Sequence, residues 1–164
     1  MITNEWICGN CDISVPIGLR KAVFVCEQGF EDCEEIDEFD AQAMHVVVYD
    51  EGVPIGTGRV YHDGKTFRIG RICVLKEKRK QGVGDLIMRV LLIKAFEFQP
   101  SEVRLDAQKR VMAFYENFGF AVCGEELLDG GIVHVPMSVN KDTLIFKSGC
   151  GKTMNYADLF PQEA

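Results

Sequence analysis

The chain has 164 residues, 47% of them apolar and 26% charged, with 18 basic against 25 acidic side chains and a net charge of −7. That size and apolar share suffice for one domain with a full buried core and are the ordinary composition of a globular chain. No run approaches eighteen uninterrupted apolar residues, so no membrane partner is predicted, and a net-acidic chain disfavours nucleic acid.

Met1 to Asn10 lacks the basic start and apolar run of a secretion signal, which predicts a cytoplasmic protein. Cys8, Cys11, Cys26, Cys33, Cys73, Cys123 and Cys150 are an odd set without such a signal, so reduced structural thiols are expected rather than a disulfide framework. Cys8-Gly9-Asn10-Cys11 is a C-x-x-C whose competing reading is a redox or zinc pair. No second C-x-x-C or H-x-x-x-H accompanies it, and no metal site is predicted.

A first strand is expected over Glu5 to Ile13, with Ser14 as the cap of a helix from Val15 to Gln28. Leu19, Val23 and Cys26 share one face of that helix at i, i+4, i+7, and Gly29 suits its C-terminal stop. Glu31 to Asp40 then carries seven acidic residues and no basic one; outside it acids and bases balance at 18 each. The segment reads either as a solvated loop or as a negative lip that draws a cationic amine.

Ala43 to Tyr49 and Val53 to Tyr61 are predicted strands around the turn Asp50-Glu51-Gly52, and Gly64 marks the turn before a third strand at Thr66 to Leu75. Val83 to Phe98 has only five polar or glycine positions among sixteen, the composition of a mostly buried helix. A strand at Val103 to Ala107 and a helix at Lys109 to Phe118, stopped by Gly119, come next. Ala121 to Leu127 and Ile132 to Val139 close the pattern as a hairpin. The predicted fold is α/β: a mixed, mostly antiparallel central sheet flanked by helices, formed by residues 1–140. Residues 141–164 are expected to be an extension packed on the domain or at a dimer contact.

Between the third strand and its helix runs Arg79-Lys80-Gln81-Gly82-Val83-Gly84. The first turn of a helix leaves about four backbone N–H groups unpaired and carries partial positive charge. Glycines let an anion approach the backbone closely, and Lys76, Lys78, Arg79 and Lys80 add positive charge beside them. Strand, glycine loop and helix together predict a phosphate cradle.

With Arg104-Leu105-Asp106-Ala107-Gln108 and Ala113-Phe114-Tyr115-Glu116-Asn117-Phe118-Gly119-Phe120 downstream, the chain resembles the GNAT superfamily of acyl-CoA N-acyltransferases over roughly residues 15–139. R-x-x-G-x-G is that family's pyrophosphate signature, and F-Y-x-x-x-G-F its second landmark. The resemblance implies acetyl-CoA as co-substrate, with Arg79, Lys80, Gln81, Gly82, Val83 and Gly84 at the diphosphate. It implies the backbone of Ile72, Cys73 and Val74 along the pantetheine, with that strand splayed from its neighbour to admit it. Gln108 stands where the family often has Asn and is carried over as cofactor-binding.

Tyr115 occupies the place of the family's acid tyrosine; a phenol with a pKa of about 10 stays protonated at neutral pH and can donate to a leaving thiolate. His134 is the candidate base, with Glu27, His45 and a water chain as alternatives. Cys73, on a buried strand, is expected to be an inert thiol. The implied activity is transfer of an acetyl group to a primary amine by direct attack, the acidic segment favouring a small cationic acceptor. A non-catalytic acyl-CoA-binding or sensing domain is the alternative, and a homodimer is the commonest assembly for such a domain.

Overall fold

The structure, a computed structural model, describes residues 1–31 and 36–162. Contacts divide the chain into two units, Met1–Glu97 and Phe98–Ala164. Across them the fold class is the expected one, a mostly antiparallel sheet flanked by helices.

The first unit runs β1 (Ile2–Cys8), α1 (Ser14–Arg20) continued by a π-helical segment (Lys21–Glu27), a 3-10 turn (Asp40–Gln42), β2 (Met44–Asp50), β3 (Val53–His62), β4 (Phe67–Val74), a second 3-10 turn (Lys76–Lys78) and α2 (Val83–Phe96). The four strands pair antiparallel in sequence order. Glu51 and Gly52 both take positive φ, 48° and 78°, which is the two-residue turn that matches the twist of a hairpin and joins β2 to β3. Val46, Val47 and Val48 are all fully buried, so both faces of β2 are covered and no polar alternation is visible in its sequence. Val47, Cys73, Leu19 and Val23 form a core cluster beneath the first helix. On the opposite face α2 lies so close to β3 that a Cβ on Gly58 would come within 2.7 Å of Leu91 Cδ1, and one on Gly56 within 2.9 Å of Ile87 Cδ1.

Two expectations fail here for identifiable reasons. The first strand ends at Cys8 rather than Ile13, because the chain turns at Gly9: its N–H donates to the Ala43 carbonyl at 2.8 Å, and a Cβ there would collide with the Asp40 carbonyl. The first helix is not one α-helix to Gln28; from Lys21 its hydrogen bonds widen, as in the Gln28 N–H to Val23 carbonyl bond at 3.0 Å. That wider turn rotates the later residues, so Cys26 is exposed instead of sharing the Leu19–Val23 face. Gly29, at φ 81°, does end the segment as expected.

The second unit contains β5 (Val103–Gln108), a 3-10 turn (Lys109–Val111), α3 (Met112–Glu116), β6 (Ala121–Val122), β7 (Leu127–Asp129), β8 (Ile132–Val139), β9 (Ile145–Lys147), β10 (Thr153–Asn155) and α4 (Tyr156–Leu159). β8 pairs antiparallel with β5, β6 and β7. The expected helix from Lys109 to Phe118 is shorter, since Val111 leaves helical geometry (φ −120°, ψ 17°). Gly119 closes it at φ 91°, where a Cβ would strike the Thr143 carbonyl. The expected strand from Ala121 to Leu127 splits in two, with Gly124 against the Pro136 ring. Residues after Asn140 pack inside this unit: Leu144 and Phe146 are buried, Phe146 meets Phe118 edge-on at 6.0 Å, and β9 pairs with β10. Asn155 and Asp158 cap α4 reciprocally.

Candidate active site

In the first unit the site is built where β4 hands the chain to α2. β4 carries a bulge opposite Thr57–Arg59, and Arg71 at its centre takes φ 52°, a left-handed conformation that side chains resist. Beyond it Cys73 pairs with Thr57 and Val74 with Gly56, so regular pairing resumes at Cys73 while Ile72 lies within the bulge. The Cys73 side chain is buried in the core, leaving only its backbone for binding.

The loop itself turns twice through left-handed geometry, at Lys80 (φ 60°) and Gly82 (φ 83°), and Gly82 is the residue from which α2 starts. The first bond within α2 runs from the Leu86 N–H to the Gly82 carbonyl at 3.0 Å, so the N–H groups of the preceding turn have no carbonyl four residues back. A Cβ at Gly82 would meet nothing within 4 Å. Asp85, the one acid in this turn, is paired with Arg89 at 2.5 Å, which lessens its repulsion of an anion. This donor set fits a phosphate group: free-pointing amides, open space over the glycine, and the helix's positive end.

The basic side chains are less available than their spacing suggests. Lys78 Nζ donates to Asp50 Oδ2 at 2.9 Å, and the Arg79 guanidinium is engaged by Glu27. Lys76 and Lys80 are exposed. Lys76 also lines an open cleft of about 390 Å³ with Val23, Cys26, Glu27 and Leu75. Glu27, considered as a base, is therefore an ion-pair partner of the loop.

Where it is described, the acidic segment is divided: Asp37 and Asp40 are held by arginines, while Glu31 and Glu38 are exposed. Asp40 is buried, with Arg20 donating to its two carboxylate oxygens at 2.6 and 3.0 Å and Arg59 Nη1 donating at 2.7 Å. Asp37 accepts two bonds from Arg59 at 2.6 Å and one from Arg71 at 3.3 Å. Burial alone would raise the Asp40 carboxyl; Arg20, the Asp37 N–H and Arg59 outweigh it and hold it well below the usual range. Glu31 and Glu38 are exposed, while positions 32–35, Cys33 among them, lie outside the described residues. His45 is buried and its Nε2 lies 3.0 Å from the Asp40 carbonyl; burial lowers its pKa, which fits a structural imidazole rather than a base. Arg20 and Arg59 were the missed signals: Arg20 continues the Pro16–Leu19 apolar stretch just before Lys21, Arg59 lies inside a predicted strand, and a charge buried at such a place needs a buried partner.

In the second unit β5 and β8 bring Gln108 opposite His134. Gln108 Oε1 accepts from Arg110 Nε at 3.1 Å. His134 is buried, and its Nδ1 lies 2.8 Å from the Ile132 carbonyl, which as a donor contact leaves Nε2 the accepting nitrogen. Tyr115 sits on α3, half-buried, between Phe114 and Phe120 at ring distances of 5.2 and 6.1 Å. Loss of solvent pushes its phenol up to about 12. Cys8 and Cys11 are exposed, and among the described residues no group of three or more His, Cys, Asp or Glu side chains could hold a metal ion. Nor, among those residues, is any helix long and apolar enough to cross a membrane.

Comparison with known proteins meets this geometry from outside. Residues 24–141 match the family described as Acetyltransferase (GNAT) domain. YjcF of Bacillus subtilis (strain 168), named an uncharacterized N-acetyltransferase, is 42% identical over 120 residues, 73% of this chain and 86% of that protein. The crystal structure of Escherichia coli ElaA is similar at a TM-score of 0.75 and 26% identity, covering 84% of this chain and 99% of that one. An acyl-CoA N-acyltransferase from Pseudomonas aeruginosa shares the fold at a TM-score of 0.75 and 24% identity, with the same coverage.

Proposed function

Because the chain belongs to the GNAT acetyltransferase family, whose members are acyl-CoA N-acyltransferases, we propose that it moves an acetyl group from acetyl-CoA to a primary amine by direct attack. The observation that carries this reading is the turn at Lys80–Gly82, left-handed at both residues and open above Gly82, at the N-terminus of a fourteen-residue helix. Backbone N–H groups of Gln81, Gly82, Val83 and Gly84 take the diphosphate, with Lys80 adding charge. The backbone of Ile72, Cys73 and Val74 takes the pantetheine amides.

The thioester supplies an already activated acyl group, so the protein must supply position and proton traffic. Tyr115 is the acid: its raised pKa keeps the hydroxyl protonated through the physiological range, ready to donate to the departing sulfur. His134 takes the ammonium proton through Nε2, supported by its Nδ1 contact with the Ile132 carbonyl. The acceptor is a small-molecule amine. A panel of amines, read by free thiol released from acetyl-CoA, tests the reading. Release that depends on both amine and protein is expected; no release with any amine, together with no thermal stabilisation by CoA, would overturn it.

A further inference from the structure

Arg79 begins the glycine loop, yet its side chain is turned into the protein. Nη1 and Nη2 donate to the two Glu27 carboxylate oxygens, each at 2.6 Å, and Nε donates to the Val74 carbonyl at 3.0 Å. One guanidinium thus ties together the last residue of the π-helical segment, the last residue of β4 and the first residue of the loop. We propose that Glu27 is a positioning residue for coenzyme binding: through Arg79 it holds the loop in the conformation whose backbone N–H groups receive the diphosphate. The inference rests on the proposed function and adds to it a residue outside the glycine motif.

Three observations support it. The loop needs Lys80 at φ 60°, a conformation that a residue with a side chain seldom keeps unless its flanks are fixed, and Arg79 is the flank. A bidentate guanidinium–carboxylate pair fixes angle as well as distance, so it suits this purpose better than a lysine would. The π-helical segment sets the direction in which Glu27 leaves the helix; regular α-helical turns from Arg20 onward would send residue 27 to a different side. The pair is about one-third exposed, 36% and 31%, so its value lies in geometry rather than in fold stability.

This assignment separates from the simpler one in which Arg79 is itself a phosphate-binding cation. If Arg79 bound phosphate directly, removing the Glu27 charge would free it and tighten CoA binding. If Glu27 positions the loop, the same change weakens binding.

The test measures CoA affinity by calorimetry on the full chain for wild type, Glu27→Gln, Arg79→Lys and the double exchange Glu27→Arg with Arg79→Glu, with melting temperature recorded for each. The expected result is that Glu27→Gln and Arg79→Lys each raise the CoA Kd about tenfold while the unliganded melting temperature barely moves, and that the double exchange, which restores the ion pair but not the bond to the Val74 carbonyl, recovers part of the loss. An unchanged or lower Kd in Glu27→Gln overturns the inference. So does a loss that tracks a fall in melting temperature and is not recovered by the exchange. Wild type that fails to bind CoA would instead remove the proposed function on which the inference stands.

Discussion

Arg59 and Asp40 are both buried, and their guanidinium and carboxylate meet at 2.7 Å on Oδ1, an oxygen shared with Arg20 Nη1, while Arg20 Nη2 takes Oδ2. Removing one partner from such a pair leaves an uncompensated charge in the interior, at a cost of about 3–5 kcal/mol. Asp40→Ala is therefore expected to lower the urea midpoint of unfolding by that much stability. A midpoint close to wild type would mean that the network is not integral to the fold.

The same network gives a sign for acid sensitivity. Burial raises the Asp37 and Asp40 carboxyls, but their arginine and backbone partners prevail and both pKa values lie below the ordinary range. A depressed native pKa contributes stability that is present above the unfolded value of about 3.9 and lost as pH falls through the native one. Wild type should lose stability steeply below about pH 4, and Asp40→Asn should show a shallower loss there, read as denaturant midpoints across pH.

Tyr115→Phe is expected to lower turnover about a hundredfold or more while CoA affinity stays near wild type. Since the phenol is pushed up to about 12, the alkaline limb of the rate profile should show no loss from Tyr115 ionisation below that region. Equal turnover in the variant would refute the role, while an alkaline limb near pH 9 that vanishes with Tyr115→Phe would keep the role and refute the raised pKa.

Gly82→Ala isolates backbone from bulk. The new methyl meets no neighbour, so its effect arises from holding φ at 83°, about 1–2 kcal/mol against an L-residue. A several-fold weaker CoA complex with little change in the core's unfolding is expected from calorimetry and melting. A complex as tight as wild type would mean that the loop does not need this geometry for CoA.

What could be read in the sequence was local. α2, the hairpin at Glu51–Gly52 and the stop at Gly29 each follow from periodicity or turn chemistry within a few residues. Asp37 and Asp40 looked like solvated acids because their partners, Arg20, Arg59 and Arg71, are distant in sequence. Cys26 was placed on the wrong face because i, i+4, i+7 spacing assumes an α-helix, and nothing in Lys21 to Glu27 announces a wider turn. The glycines and bases of the loop at 79–84 are contiguous and so prompted its reading as an anion site, but the commitment of Arg79 to Glu27 depends on a contact spanning 52 positions. In the second unit, residues 141–164 were expected to pack on the domain or at a dimer contact; Leu144 and Phe146 are buried there, Phe146 edge-on to Phe118, a distance in sequence that no local pattern spans.

The two missing side chains at Gly56 and Gly58 act as a gauge for the glycine loop, which they border through Val83, 3.3 Å from a Cβ at Gly56. By letting Ile87 and Leu91 settle onto β3, they fix the height at which the N-terminus of α2 rides over the sheet. A methyl at either place would press on the buried ends of Ile87 and Leu91 and crowd α2 against β3. The coenzyme grip proposed for the loop is thus open to change from beneath, with residues 79–84 themselves unaltered.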